Sequence, residues 1–346
     1  MKVTALQSDW SGVLKKIPDF PGKAYYTWEY LEMLQNNGEG KAMALLFEEN
    51  HAVVGFYPFL LKKIPDRFCQ EKTLFDIETP YGYGGIWANP DHVNKVYAAH
   101  HDWCRNNHIV AEFVRLNPLV NQFFSDTLSQ NFSHNRTTVS IELTGNFNMI
   151  IQQASVMRQR NFRRACRAGL SFRPCSRDEF VHLYLQTMKL LGAELYYFFS
   201  NAYFENLFNL SDSCFTARAV FTADNRLAAA AVFLEDSIGT HYHLGASDRS
   251  FFSLRPNDFL IFKAAEESLH RGKKVLHLGG GLTDNSDDRL YAFKRGFSPS
   301  THSFQIGRFI HQPEIYSAIS RRWQQETGDQ PQIHLHYHQE KKHEII

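Results

Sequence analysis

Between residues 275 and 297 the chain reads VLHLGGGLTDNSDDRLYAFKRGF. A short apolar run, Val275 to Leu278, enters Gly279, Gly280 and Gly281. A polar loop with Asp284, Asp287 and Asp288 follows, and a short helix carrying Lys294 closes at Gly296-Phe297. Glycines directly after a strand let the backbone adopt positive φ and let a ligand approach it. A lysine one short helix later can reach that ligand, either to balance developing negative charge or to hold a phosphate. The competing readings are an exposed helix lysine and three glycines that are no more than the turn positioning it.

Other residues offer related chemistry. Arg160, Arg163, Arg164 and Arg167 fall at i, i+3, i+4 and i+7 ahead of Gly169, so they share one face of a helix. Guanidinium forks match phosphate oxygens, which makes this stripe, with Gly280 and Gly281, a donor- or phosphate-binding surface; the alternative is a solvated face. Tyr81-Gly82-Tyr83-Gly84-Gly85 is a loop that admits substrate to the backbone beside two phenols, or a tight loop over a core. Arg115 and Asn117 end an apolar strand, where they bind substrate or cap the sheet edge. His241 and His243 share one face of a strand and Tyr242 takes the other. His243 is a candidate general base, because imidazole titrates near neutrality, against the reading of a satisfied histidine. Asp76, Glu78 and Asp284 are placed to orient an amine, against the reading of exposed loop carboxylates with no specific role. His334, His336 and His338 fall at strand spacing, as in an edge strand or a tail, and no metal site is assigned.

The elements that position these residues follow from periodicity. After a polar lead-in, Tyr25 to Leu34 has helical spacing. AMALLFE and VVGFYPFLL form a hairpin around Glu49-Asn50-His51, TLFDIETPYGYGGIWANP is a strand leading into a glycine–tyrosine loop, and the helical pattern of residues 91–107 leads into the strand IVAEFVRLNPL. The second half repeats the order: FTARAVF and LAAAAVFLE form a hairpin, THYHLGAS is a third strand, PNDFLIFKAAEESLHRG is a helix and KKVLHLGG is the next strand. Hairpin, strand, helix, strand therefore occurs twice, which predicts two related α/β domains with mixed sheets. The division expected is 1–150 and 151–346, the latter opening on a basic junction helix at about 155–169 and ending in a C-terminal helix and tail.

Composition sets outer bounds. With 346 residues, 43% of them hydrophobic and 21% charged, the chain fills ordinary globular cores, and two domains are expected. Its N-terminus lacks a signal-like apolar run and no window approaches the roughly 18 apolar residues of a membrane span, so a cytoplasmic protein is expected. Five scattered cysteines without a CxxC pair argue for reduced thiols and against a disulfide framework or zinc site. Net charge is +1, but residues 151–310 carry twenty Lys/Arg against fifteen Asp/Glu, placing an anionic ligand in the second half. GxxxxGK[ST], HExxH and GxSxG are all missing, and the glycines of YGYGGIW do not open a helix. NTPase, metalloprotease, serine hydrolase and Rossmann readings are thereby demoted.

Six stretches together resemble one family: TPYGYGG (79–85), VRLNPL (114–119), RQRNFRRACRAGL (158–170), YHLGAS (242–247), LRPNDFL (254–260) and LHLGGGLTDNSDDRLYAFKRGF (276–297). In order, from about Trp28 to Arg308, they look like the FemABX-type transferases of the GNAT superfamily. That resemblance implies two tandem GNAT-like domains, here without a long coiled-coil insertion, and transfer of an activated acyl or aminoacyl group to an amine of a cell-envelope precursor. Lys294 falls at the lysine of the family's FKxGF pattern. The donor implied is a charged tRNA or acyl-CoA, with no tightly bound cofactor. The acyl-CoA branch resembles a glycine-containing turn ahead of the helix; SFFSLRPNDFL has none, which weakens that choice. The alternatives are an acyl-CoA-dependent N-acyltransferase of an amino sugar or small amine, and a non-catalytic protein that binds a glycan precursor or tRNA. No DNA partner is expected.

Overall fold

The structure, a computed structural model, describes residues 1–17, 20, 23–69, 72–120, 124–285 and 287–338. These form two compact units: unit 1 from Met1–Phe20, Tyr25–His134 and Phe304–Ile346, and unit 2 from Pro21–Ala24 and Asn135–Ser303. Among the described residues no helix is long and apolar enough to cross a membrane.

In unit 1, β1 (Lys2–Leu6) pairs antiparallel with β2 (Lys41–Glu49), β2 with β3 (Ala52–Lys63) and β3 with β4 (Phe75–Glu78); β5 (Trp87–Ala88) also lies on β3. β4 runs parallel to β6 (Ile109–Arg115), and the helix Val93–Asn106 makes the crossover that a parallel pair requires. The first hairpin turns at Asn50 and His51, both at positive φ (51° and 65°), as a two-residue connection between twisted strands demands. Apolar residues of the sheet and helix, among them Phe47, Tyr57, Phe59 and Val96, make one core. The helix Pro313–Thr327 supplies Ile319 and Trp323 to a second, with Phe68 and Tyr337.

Unit 2 repeats this order. β7 (Phe132–Glu142), which starts in unit 1, lies antiparallel to β12 (Val275–Gly280); β12 is parallel to β11 (Gly239–Ser247); and β11, β10 (Leu227–Glu235), β9 (Phe215–Phe221) and β8 (Ser171–Pro174) follow as antiparallel neighbours. The helix Pro256–His270 makes the parallel crossover. Two helices, Arg177–Leu191 and Asn201–Phe208, separate β8 from β9, the first opened by a Ser176–Glu179 capping box. The last strand of the chain, β13 (Thr301–Ile310), returns to unit 1, where Ile306–Ile310 oppose Arg115–Ala111 of β6. The expected mixed α/β architecture with a duplicated order is therefore present.

Two local expectations fail. The polar lead-in is strand β1, held by a register with β2 that five residues of sequence do not announce. The histidines at 334, 336 and 338 do not lie on an edge strand: residues 336–338 form a 3-10 turn, with His336 buried and His338 Nε2 2.8 Å from Asp76 Oδ2. The residues beyond 338, expected as a tail, lie outside the described ones.

A buried ion pair ties three helices of unit 2 together. Arg158, in the helix Val156–Arg167, donates from Nη1 to Asp258 Oδ1 at 3.0 Å in the first turn of helix Pro256–His270, and Asn161 Nδ2 donates to the same oxygen at 3.1 Å. The guanidinium lies over the rings of Phe293 (4.3 Å) and Phe297 (5.2 Å), so a third helix, Arg289–Arg295, is pinned to the other two. Removing one member of a buried pair strands the other's charge. Arg158→Met should therefore lower unfolding free energy by about 3 kcal/mol, whereas Arg163→Met, on the exposed face, should change it by no more than about 0.5 kcal/mol. Denaturant midpoints of both variants check this.

Candidate active site

The site begins where β11 and β12 part. They pair in parallel only over Gly239–His241 and Val275–His277; among the described residues no further pair joins them. Each strand carries an irregularity just past that point. Against β10 the register slips between Leu244 and Tyr242, leaving His243 as an extra residue, and against β7 it slips between His277 and Gly279. An extra residue bends a strand and sharpens its twist, so two adjacent slips splay the pair. Gly279, at φ 74°, makes the bend on β12 without a Cβ penalty.

In unit 1 the corresponding pair is closed. Beyond Glu78 and Phe113, Thr79 N donates to Phe113 O (3.1 Å), and the following loop comes back so that Gly84 N donates to Arg115 O (2.7 Å) and Asn117 N to Gly84 O (3.1 Å). Gly84 and Leu116 form a parallel bridge, and Gly85 (φ 100°) lies so close to Leu116 that a Cβ would sit 2.7 Å from its side chain. The tyrosine–glycine loop thus extends the sheet across the position that stands open in unit 2.

Its neighbours are engaged within unit 1. Arg115 Nη2 donates to Glu78 Oε1 at 2.6 Å and Nη1 to Thr79 O at 3.1 Å; Lys62 reaches the other Glu78 oxygen at 2.8 Å. Burial raises the Glu78 pKa, but Arg115 and Lys62 outweigh it and hold the carboxyl down at about 2. Asp76 and Glu78 lie on the expected strand, β4, and are not exposed: Asp76 is fully buried and accepts from Ala111 N. Asn117 is buried and its Oδ1 accepts from Leu119 N. Tyr83 packs edge-on against Tyr25 and Phe304, and Tyr81 O accepts from Tyr30 Oη at 2.7 Å.

At the splay in unit 2, two cations meet the end of β12. Lys294 Nζ donates to Gly280 O and Arg136 Nη1 to Gly281 O, each at 2.7 Å. Gly280 is required by approach: a Cβ would stand 2.8 Å from Thr137 O. Asp288 caps the Lys294 helix through Tyr291 N (2.8 Å) and gathers the preceding loop through Leu282 N (2.8 Å) and Thr283 N (2.9 Å). The Arg158 clamp fixes the far side of that helix, with Ser155 N donating to Gly296 O at 2.8 Å. Burial lowers the Lys294 pKa, Asp288 opposes, Arg136 adds to the lowering, and the result is about 8. The ring of Tyr242, from β11, faces it with its centroid 5.9 Å from Nζ. Burial pushes the Tyr242 phenol up to about 12, so it stays a proton donor. An ammonium and a protonated phenol thus stand together beside the splay.

The remaining candidates separate from this pair. His243 lies 3.0 Å from the Tyr203 hydroxyl; burial, with His241 adding to it, drives its pKa to about 3, so it stays neutral and accepts a proton poorly. Arg160, Arg163, Arg164 and Arg167 form an exposed face, Arg163 donating to Gln159 Oε1 at 3.3 Å. Sequence reasoning passed over Arg158, Arg136 and Tyr242. The available signal for Arg158 was its place, with Phe162 and Ala165, on the apolar side of the same helix.

Residues 156–295 match the model of the acetyltransferase (GNAT) domain, a span that holds Arg158, Tyr242, Gly280, Gly281 and Lys294. Fold and domain together make this an acyltransferase of two tandem GNAT-like units. Among solved structures FemX is similar at 15% identity, with a TM-score of 0.66 over 84% of this chain and 93% of the FemX chain. A protein of unknown function from Bacteroides thetaiotaomicron is similar at 9% identity, with a TM-score of 0.52 over 83% of this chain and 90% of its own. The resemblance to FemABX-type transferases thus holds at the level of fold. A comparison with curated proteins gave no match.

A lysine pKa depressed from 10.5 to about 8 means that the unfolded chain binds more protons between those values, so stability rises with pH across that window and the cost is fully present below it. Relative to Lys294→Met, the wild type should gain stability from about pH 8 to about pH 10, read from urea midpoints. A pH-independent difference would show that the ammonium is not desolvated.

Proposed function

We propose that unit 2 transfers an aminoacyl group from the ester of a charged tRNA to an amine of a cell-envelope precursor. The observation that carries the transfer is the Lys294–Tyr242 pair beside splayed β11 and β12. A neutral amine attacks the ester carbonyl; the Lys294 ammonium balances the charge that develops on oxygen; the C–O bond breaks and the Tyr242 phenol protonates the leaving alkoxide. The amine's surplus proton passes to solvent, and the phenol is reprotonated from there. Gly280 and Arg136 orient Lys294 and the end of β12, and His243 is left a structural part.

The choice of ester over thioester rests on helix Pro256–His270. Its first turn holds Pro256, which has no N–H, after Arg255 at φ 64°, and it carries the Asp258 carboxylate. A pyrophosphate would lose a backbone donor there, and the Asp258 carboxylate of that turn is already taken up by Arg158. The exposed arginines at 160, 163, 164 and 167 instead offer a surface to a polyphosphate backbone. The acyl-CoA reading is favoured by the acetyltransferase domain match and remains the second one.

Incubation with an envelope-precursor pool and, in parallel, aminoacyl-tRNA or acetyl-CoA, followed by mass spectrometry, tests both. Product from charged tRNA alone supports the proposal; product from acetyl-CoA alone replaces it with the second reading; saturable binding without product supports a binding protein. Lys294→Met should lower kcat/KM about 100-fold or more with folding intact, and Lys294→Arg should restore part of it. Activity should fall as pH rises through about 8, where Lys294 loses its charge.

A further inference from the structure

Four side chains of unit 1 that have no part in the proposed transfer converge in its core. His100 and Cys104 stand one turn apart on helix Val93–Asn106, Glu112 projects from β6, and His311 follows the last residue of β13. All four are buried, and one ligand atom from each lies within 4.8 Å of every other. We propose that His100, Cys104, Glu112 and His311 bind a single zinc-class divalent cation as a closed, structural four-ligand centre.

The edge lengths fit such an ion. Zinc bonds of about 2.0 Å to nitrogen or oxygen and about 2.3 Å to sulfur set tetrahedral ligand separations of about 3.3 to 3.5 Å. His100 Nε2 lies 2.8 Å from Glu112 Oε2, His311 Nε2 lies 3.1 Å from the same oxygen, and Cys104 Sγ lies 3.5 Å from His100 Nε2. Seating the ion needs the shortest edge to open by about half an ångström and the widest, which is no more than 4.8 Å, to close by up to about 1.3 Å, through small side-chain rotations.

An outer shell is in place. Tyr57 Oη donates to Glu112 Oε1 at 2.6 Å, leaving Oε2 toward the centre, and His101 Nδ1 meets His311 Nδ1 at 2.9 Å, which turns His311 Nε2 inward. Partners of this kind orient ligands in metal centres. Mixed nitrogen, sulfur and carboxylate ligands suit Zn2+ or Co2+ and disfavour Mg2+ and Ca2+. On binding, the Cys104 thiol proton and any proton on a ligating ring nitrogen leave to solvent. A dication with one thiolate and one carboxylate is then neutral, as a buried site requires.

The test uses the full chain, stripped with chelator and reloaded with Co2+ or Zn2+. About one ion per chain is expected by elemental analysis, with a cobalt–thiolate charge-transfer band that Cys104→Ser abolishes and Cys166→Ser, on an exposed thiol, preserves. X-ray absorption of the zinc-loaded wild type needs no variant: one sulfur at about 2.3 Å with three nitrogen or oxygen ligands at about 2.0 Å is expected. A folded wild type that binds no stoichiometric ion, a shell of nitrogen and oxygen only, or a thiolate band that survives Cys104→Ser overturns the proposal.

Discussion

The arginine at 158 and the aspartate at 258 hold unit 2 in its working form. Three helices meet at that contact: one gives the guanidinium, one the carboxylate, and the third lays Phe293 against the cation, with Phe297 joining it from just past the helix end. The third helix is only seven residues long and would have marginal stability alone. Its orientation comes from this clamp on one side and the Asp288 cap on the other. Lys294 points at the end of β12 because the helix beneath it has nowhere else to go, and Gly296 is glycine because a Cβ would press on the Arg158 side chain.

The two units show what the same strand order can be made to do. Parallel strands joined by a helix crossover occur in both, yet one pair is extended by a returning loop and the other is splayed by two register slips. In unit 1 the polar groups at the closure satisfy each other, with Arg115, Glu78 and Lys62 forming a compact set. In unit 2 Lys294 and Arg136 rest on carbonyl oxygens at the end of β12, with Asp288 favouring the lysine's charge.

Much of the fold was legible because its signals are local. Asn50-His51, and Asn225 (φ 64°) between Phe221 of β9 and Leu227 of β10, mark hairpins through residues that tolerate positive φ, and the apolar spacing of Val93, Val96 and Tyr97 marks a helix whatever it packs on. The candidate site was legible in part. Lys294 and its glycines could be read as a segment, whereas Arg158 could not be ranked above Arg160, since the partner that buries it lies 100 residues away. Tyr242 was placed opposite the histidines, but its relation to Lys294 depends on how β11 and β12 diverge. Alternating histidines near residue 336 imitate a strand, because a spacing of two residues also suits a tight turn. His100 and Cys104 share a helix face, yet nothing local shows that Glu112 and His311 will join them.

The return of β13 to unit 1 has a bearing on how the chain is made. Glu112 and His311 touch across 199 residues of sequence, and β6 waits as long for its neighbour. Unit 2 contains its own β7 before its other strands are synthesised, so it can assemble in the order of translation. Unit 1 emerges first and is finished last. Until the C-terminal strand leaves the ribosome, β6 presents an open edge, which places a premium on slow, guarded folding of the half that is synthesised first.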